Sequence, residues 1–333
     1  MKNLEYHLFS KHKLKFNNGK FKVLMMSDIQ EGPEFNEKSL RSMNILLDES
    51  KPDLVLLGGD NCFGPYIHNV DDLKKFLGIL TEPMESRKIP WAQVFGNHDH
   101  DVEVDDAFHQ ELYEAYPFCI SKHTESDVHG TTNFVLPVYD SEDKVAFCVW
   151  GLDTNNLISE YDDMVPSGDM CKSALLPQMP VGKGRWSIPH FDQLMWYWNT
   201  SRALEAHCGK KIPGMLCMHM PLYEYITAAA NPEICVKDGV HGEPADPGFL
   251  NCGLFAEILQ RGDIKTIGCG HTHCNDYEAE YCGIKLCWDG CAGYTAYGID
   301  ERRGGRVFEF YEDRSFEVNT YMIHTQKMME EES

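Results

Sequence analysis

The chain has 333 residues, enough for one large domain or two small ones, and its 43% hydrophobic and 11% aromatic content is that of a globular protein rather than a disordered one. A formal net charge of −22 argues against nucleic acid or an anionic membrane as partner, because both call for basic patches. The thirteen cysteines form no CxxC pair, and many sit in apolar runs (Cys148, Cys217, Cys269, Cys287), where they read as small buried hydrophobes of a reducing compartment.

Residues 1–20 are polar and lean basic, and are expected as an N-terminal arm or edge strand. Phe21–Met26 reads as a buried strand that ends in Ser27, Asp28, Ile29 and Gln30. Glu37–Lys51 places Leu40, Met43, Leu46 and Leu47 on one helical face, and Pro52 stops it. Leu54–Leu57 is a second buried strand, ending in Gly58, Gly59, Asp60 and Asn61. A helix capped by Asn69 follows, with Leu73, Phe76, Leu77 and Leu80 in helical spacing. Trp91–Phe95 is the third strand, and Gly96 delivers Asn97, His98 and Asp99 beyond its end. Strand–helix–strand–helix–strand is the alternation that builds a parallel sheet with covering helices, and ligands bind at the carboxyl ends of such strands.

Val104–Tyr116 is expected to be helical, and Thr132–Tyr139 and Lys144–Gly151 to pair as strands. Asp153–Trp186 is rich in Gly, Pro and Met, with weak periodicity, and is expected as a lid or pocket wall. Phe191, Leu194, Met195 and Trp198 read as a core-facing helical stripe. Gly214–Met218 is an apolar run ending in His219, Met220 and Pro221. A loop over 223–248 leads to a helix at Leu254–Gln260, and Ile264–Cys269 ends in Gly270, His271, Thr272 and His273. Tyr277–Trp288 reads as paired antiparallel strands, Val307–Tyr311 and Phe316–Met322 close the sheet, and 323–333 reads as a flexible acidic tail. No linker interrupts 21–322, which is read as a single domain. No run reaches 18 apolar residues and the N-terminus has no apolar h-region, so neither a membrane span nor a signal peptide is expected, and the location expected is cytoplasmic.

Five strand ends thus carry Asp28 and Gln30, Asp60, Asn97 and His98, His219, and His271 with His273. Residues i and i+2 of an extended strand point the same way, so His271 and His273 can face one site, as can Asp28 and Gln30. Carboxylate, amide and imidazole ligands without thiolate suit Mn, Fe, Zn, Co or Ni, and this set is large enough for two divalent cations. Taken singly, each has a plain reading: an Asp at a turn, a polar loop, a surface histidine pair. Their joint order is what argues for a site.

That order, D-x-Q, GGDN, GNHD, HMP and GHTH, resembles the calcineurin-like metallophosphoesterases over about Phe21 to Tyr311, and most of all the intracellular relatives of purple acid phosphatases. The resemblance implies a four-layer α/β/β/α sandwich of two mixed β-sheets flanked by helices. It implies that Asp28 and His273 bind a first metal with Gln30 as an extra ligand, that Asp60 bridges, and that Asn97, His219 and His271 bind the second. It further implies two divalent cations (Mn, Fe or Zn), in-line attack by a metal-bridging hydroxide, and His98 as general acid to the leaving oxygen. A small phosphorylated substrate is expected, a monoester by preference. Alternatives are a phosphodiesterase for cyclic nucleotides or glycerophosphodiesters, and a non-catalytic scaffold that binds a protein. Two positions depart from the pattern. Gln30 stands where many members have a histidine, and Phe63 stands where purple enzymes have a ligating tyrosine, so no tyrosinate-to-iron colour is expected. Phe63 also occupies the place of the aspartate that partners the catalytic histidine in the protein phosphatases. That leaves Asp99 as the candidate partner of His98, while His100, Asp101 and His109 read as loop and helix surface. Tyr223, His241, Glu243, Tyr294 and Tyr297 are expected near the pocket, with structural or solvent-facing roles.

Overall fold

Alternation along each buried strand divides the interior into separate cores. The computed structural model describes residues 4–5, 8, 13–124, 127–157, 171–172, 180–181, 186–233, 236–312 and 314–331. In β2 (Lys20–Met26), Val23 and Met25 face one core while Leu24 and Met26 face another. The same split holds in β3 (Leu54–Leu57), with Leu54 and Leu56 on one side and Val55 and Leu57 on the other. In β9 (Gly214–Met218), Met215 and Cys217 join the core that holds Val23 and Met25, and Leu216 and Met218 face away from it. Strands buried on both faces need a layer on each side, so the two sheets pack on each other and helices cover their outer faces.

The first sheet has the order β15-β14-β2-β3-β4. Here β4 is Trp91–Gln93, β14 is Gly304–Tyr311 and β15 is Arg314–His324. β2, β3 and β4 run parallel, and β14 and β15 add antiparallel strands at one side. Its outer face is covered by α1 (Glu37–Ser50) and α2 (Val70–Arg87) through Met43, Leu46, Leu47, Leu73, Phe76, Leu77 and Leu80. Asn36 caps α1 by accepting from the Lys38 amide, and Asn69 caps α2 by accepting from Asp71 and Asp72. α3 (Asp106–Glu114) is capped by Asp105.

The second sheet orders β1-β5-β6-β9-β11-β13-β12-β10. β1 (Leu14–Lys15) is its edge strand, so the N-terminal arm does supply an edge. β5 (Phe134–Tyr139) and β6 (Val145–Leu152) form the expected antiparallel pair, and β9 and β11 (Ile264–Cys269) continue parallel to β6. β12 (Glu278–Tyr281) and β13 (Ile284–Trp288) pair antiparallel, and β10 (Val236–Asp238) ends the sheet. The architecture is therefore two mixed sheets flanked by helices. A short ladder, β7 (Cys171–Lys172) with β8 (Pro180–Val181), lies in 153–186. The rest of the expected lid, 158–170, 173–179 and 182–185, lies outside the described residues.

Three expectations need correction. The stripe on α4 (Phe191–Cys208) is out of phase: Phe191 is 78% exposed and Met195 40%, while Leu194, Trp196, Tyr197 and Leu204 are buried. The 223–248 stretch is not all loop, since α5 (Tyr223–Ala229) opens it and β10 lies within it; α6 (Leu254–Arg261) follows where expected. The acidic tail is not free: α7 (Gln326–Glu331) buries Met329, whose carbonyl accepts from Arg41 Nη2 at 3.0 Å. Eleven cysteines, Cys62, Cys148 and Cys269 among them, are free thiols, and among the described residues no helix is long and apolar enough to cross a membrane.

Candidate active site

The carboxyl ends of β2, β3 and β4 in one sheet and of β9 and β11 in the other deliver all the site residues, so the site straddles two sheets rather than one sheet edge. The strands stop short of the side chains they deliver. Asp28, Gln30, Asp60 and His271 all have left-handed backbone, with φ of 53°, 46°, 49° and 78°. The side chains are thus presented by turns, not by the extended i, i+2 geometry the sequence suggested. Non-glycine residues held there cost about 1–3 kcal/mol each, and such strain concentrates at functional sites. Two glycines make the close approach possible. A Cβ on Gly96 would come 2.3 Å from Asp60 Oδ1, and one on Gly270 would come 2.5 Å from Asp28 Oδ2.

The residues form a continuous chain of contacts. His273 Nε2 lies 3.1 Å from Asp28 Oδ1 and 3.2 Å from Gln30 Nε2, and Gln30 Nε2 donates to Asp60 Oδ2 at 2.9 Å. His219 Nε2 is 3.3 Å from Asp60 Oδ2, and ligand atoms of Asp60, His219 and His271 all lie within 4.8 Å of one another. The His219 Nδ1–H donates to the Gly58 carbonyl at 3.0 Å and the His273 Nδ1–H to the Tyr297 carbonyl at 2.8 Å, which turns each Nε2 toward the cluster. Asp28 Oδ1, Asn97 Oδ1 and His219 Nε2 are buried with no hydrogen-bond partner. Buried polar atoms are nearly always satisfied, so three orphans in one N/O set fit a bound cation.

Charge within the cluster agrees. Burial pushes the Asp28 and Asp60 carboxyls up, but the adjacent histidines outweigh it and hold both below the usual carboxylate range. Burial pulls His219 down, but the Asp60 charge carries it to about 9, and the Asp28 charge likewise carries His273 to about 12. His271, pulled down by burial and then by His219, falls to about 4. Two buried carboxylates demand positive charge beside them, and protons on His219 and His273 stand where cations would compete.

His98 lies at the rim, its side chain 27% exposed. Its backbone amide donates to Asp60 Oδ1 at 2.8 Å, and its Nδ1 meets Asp101 Oδ2 at 2.8 Å. Asp101, not Asp99, is therefore the partner of His98. Asp99 is buried and accepts the backbone amides of Gly96, Asn61 and Cys62, which holds the turn. Phe63 packs edge-on against His98 with ring centroids 4.7 Å apart. His100 is not surface either: it bridges Asp106 at 2.8 Å and Asp153 at 3.2 Å. His109 is fully buried beside Phe95 and Tyr113, and burial, then His100, push it down to about 3.

A cavity of about 680 Å³ opens over the cluster, lined by Gln30, Asp60, Phe63, Asn97, His98, Trp186, Glu243, Asp246, His271, His273 and Tyr297 among others. Glu243 and Tyr297, expected to be structural, are on its wall. So are Trp186 and Asp246, which carried no sequence signal beyond lying in the two long loops. Tyr223 lines a separate small pocket, His241 packs on Tyr277, and Tyr294 packs against Lys38 and Arg303.

The model of the calcineurin-like phosphoesterase family matches residues 21–275, which include every residue of the cluster. The chain belongs to the calcineurin-like phosphoesterase family. Curated relatives include probable inactive purple acid phosphatase 29 of Arabidopsis thaliana, 26% identical over 86% of this chain and 76% of that protein. Phosphatase DCR2 of Saccharomyces cerevisiae is 26% identical over 94% of this chain and 54% of its own length. The fold is shared with a dimetal phosphatase from Danio rerio, at TM-score 0.59 and 14% identity over 88% of this chain and 93% of that one. The chain is thus a phosphoric ester hydrolase by family, and the calcineurin-like phosphoesterase fold accounts for its two mixed sheets flanked by helices.

Proposed function

We propose that this calcineurin-like phosphoesterase is a dinuclear metal-dependent phosphomonoesterase in which His98 protonates the leaving oxygen. The reading is carried by the orphaned, buried ligand atoms of Asp28, Asn97 and His219 within one N/O cluster. Asp28 and His273 would hold one divalent cation, Asn97, His219 and His271 a second, with Asp60 between them. Gln30 joins the first set only with its amide turned over, because its nitrogen now donates to Asp60. Bound there, two divalent cations supply Lewis-acid stabilisation of the phosphoryl oxygens and a nucleophile from water at neutral pH.

The chain's own residues supply the rest. The Asp60 carboxylate accepts the His98 backbone amide, which ties the acid to the cluster. Asp101 accepts from His98 Nδ1, so a proton on Nε2 is the one available to a departing alkoxide. Phe63 and Asp101 hold the imidazole from two sides. Some relatives carry "inactive" in their names. The nearly complete ligand set and the paired His98 support activity in this chain.

The test compares aryl monoester and diester substrates with Mn²⁺ and with chelator, alongside metal analysis. Monoester turnover with Mn²⁺, abolished by chelator, is expected. Asp60→Ala and Asn97→Ala should lose metal and activity together, whereas His98→Ala should keep metal. No turnover of either substrate with any cation would sink the enzymatic reading and leave a scaffold.

A further inference from the structure

Each of the three histidines that line the cavity is flanked by an aromatic ring that lines it too. Phe63 meets His98 edge-on at 4.7 Å, Trp186 meets His271 edge-on at 5.2 Å, and Tyr297 stacks on His273 at 4.0 Å and 14°. Two carboxylates stand among these rings. Glu243 accepts the Cys274 backbone amide at 2.7 Å and the Tyr297 hydroxyl at 3.2 Å, and Asp246 accepts the Trp186 indole N–H at 2.8 Å. Among the described residues the donors that fix Glu243 are neutral, and none of them offsets its negative charge. Among the described residues lining the cavity there is no lysine or arginine.

That wall does not suit a phosphate. The phosphoryl end belongs instead to the floor, over Asp60, Asn97 and His271, where bound cations would neutralise its charge. What is left for Trp186, Tyr297, Glu243 and Asp246 is the alcohol side of the ester. Aromatic faces beside carboxylates bind cations through the ring quadrupole and direct charge, the chemistry that recognises alkylammonium groups. The same carboxylates disfavour a leaving group that carries further negative charge.

We propose that this phosphoesterase selects phosphate esters whose alcohol bears a positive charge, with the alkylammonium group held by Trp186, Tyr297, Glu243 and Asp246. The inference rests on the phosphomonoesterase reading and adds the substrate class. An isosteric pair isolates the charge: phosphocholine and 3,3-dimethylbutyl phosphate have the same shape and differ by one positive charge. With the Mn²⁺-loaded protein, kcat/KM should favour phosphocholine on the order of tenfold, about what one desolvated cation–π contact supplies. Glu243→Gln and Asp246→Asn preserve acceptor oxygens and should each bring the ratio closer to one. Because the ratio is read, a variant that slows both esters equally counts against the proposal. A wild-type ratio at or below one, with 4-nitrophenyl phosphate still hydrolysed, overturns the charge preference alone. Absence of turnover of all three esters overturns it together with the phosphomonoesterase reading.

Discussion

His98 is held by one carboxylate, one aromatic edge and one backbone bond, and each constrains a different degree of freedom. Asp101 sets the tautomer, Phe63 limits ring rotation, and the hydrogen bond from the backbone N–H to the Asp60 carboxylate fixes the Cα. If Nε2 gives its proton to the leaving oxygen, His98→Ala should cost an alkyl phosphate about 10²–10⁴ in kcat, the usual range for a positioned general acid. A 4-nitrophenyl ester, whose alcohol leaves without help, should lose much less. Asp101→Asn should show the same asymmetry on a smaller scale, whereas equal losses on both esters would remove the acid role. The sequence singled out His98 because it adjoins Asn97 in a recognisable motif. It could not name Asp101, because the choice between Asp99 and Asp101 depends on how the turn after Gly96 folds. Asp99 is consumed by three backbone amides, which leaves Asp101 for the imidazole.

Among the elements, α4 shows where helical periodicity misleads. Phe191, Leu194, Met195 and Trp198 fit the helical repeat, yet the buried face runs through Gln193, Leu194, Trp196, Tyr197, Thr200, Ser201 and Leu204. Three polar side chains of that face find partners only in the folded chain. Gln193 Nε2 donates to Asn133 at 2.9 Å, and Tyr197 and Ser201 both donate to Asp263. Leu194→Ala should therefore cost about 2–5 kcal/mol in a urea titration, while Phe191→Ser should stay within about 0.5 kcal/mol. The reverse ranking would restore the apolar stripe. A second junction, His100, ties the first turn of α3 to the end of β6 through Asp106 and Asp153. Burial pulls His100 down, but the Asp153 charge and the bonds to both carboxylates lift it well above its ordinary value. A raised folded pKa means that this contribution is fully present below about pH 6.5 and is lost as pH rises through the folded value. His100→Gln should thus cost about 3–5 kcal/mol at pH 6, with the difference from wild type shrinking at alkaline pH. A difference constant from pH 6 to 10 would show that His100 is held as a neutral ring.

At the scale of the whole molecule, a net charge of −22 opposes the approach of a phosphate dianion. Screening by salt weakens that repulsion at long range, so kcat/KM for a dianionic ester should rise between about 10 and 150 mM NaCl while kcat changes little. A fall with salt would mean that the positive field of bound cations dominates even at a distance. The chain by itself determined most of the longer strands, the order of the motifs and the chemical type of each candidate ligand. Those depend on local apolar runs and on side-chain identity, which the sequence carries in full. Two sheets were implied only by the resemblance of those motifs to a known family, since the apolar runs by themselves read as one sheet. Only the tertiary structure decided that β2 to β4 and β9 with β11 belong to different sheets whose carboxyl ends meet. Only it showed Asp28, Gln30, Asp60 and His271 in left-handed turns, and Trp186, Glu243, Asp246 and Tyr297 on one wall. These features arise from contacts between segments far apart in the chain, and neither periodicity nor spacing encodes how distant turns pack against each other.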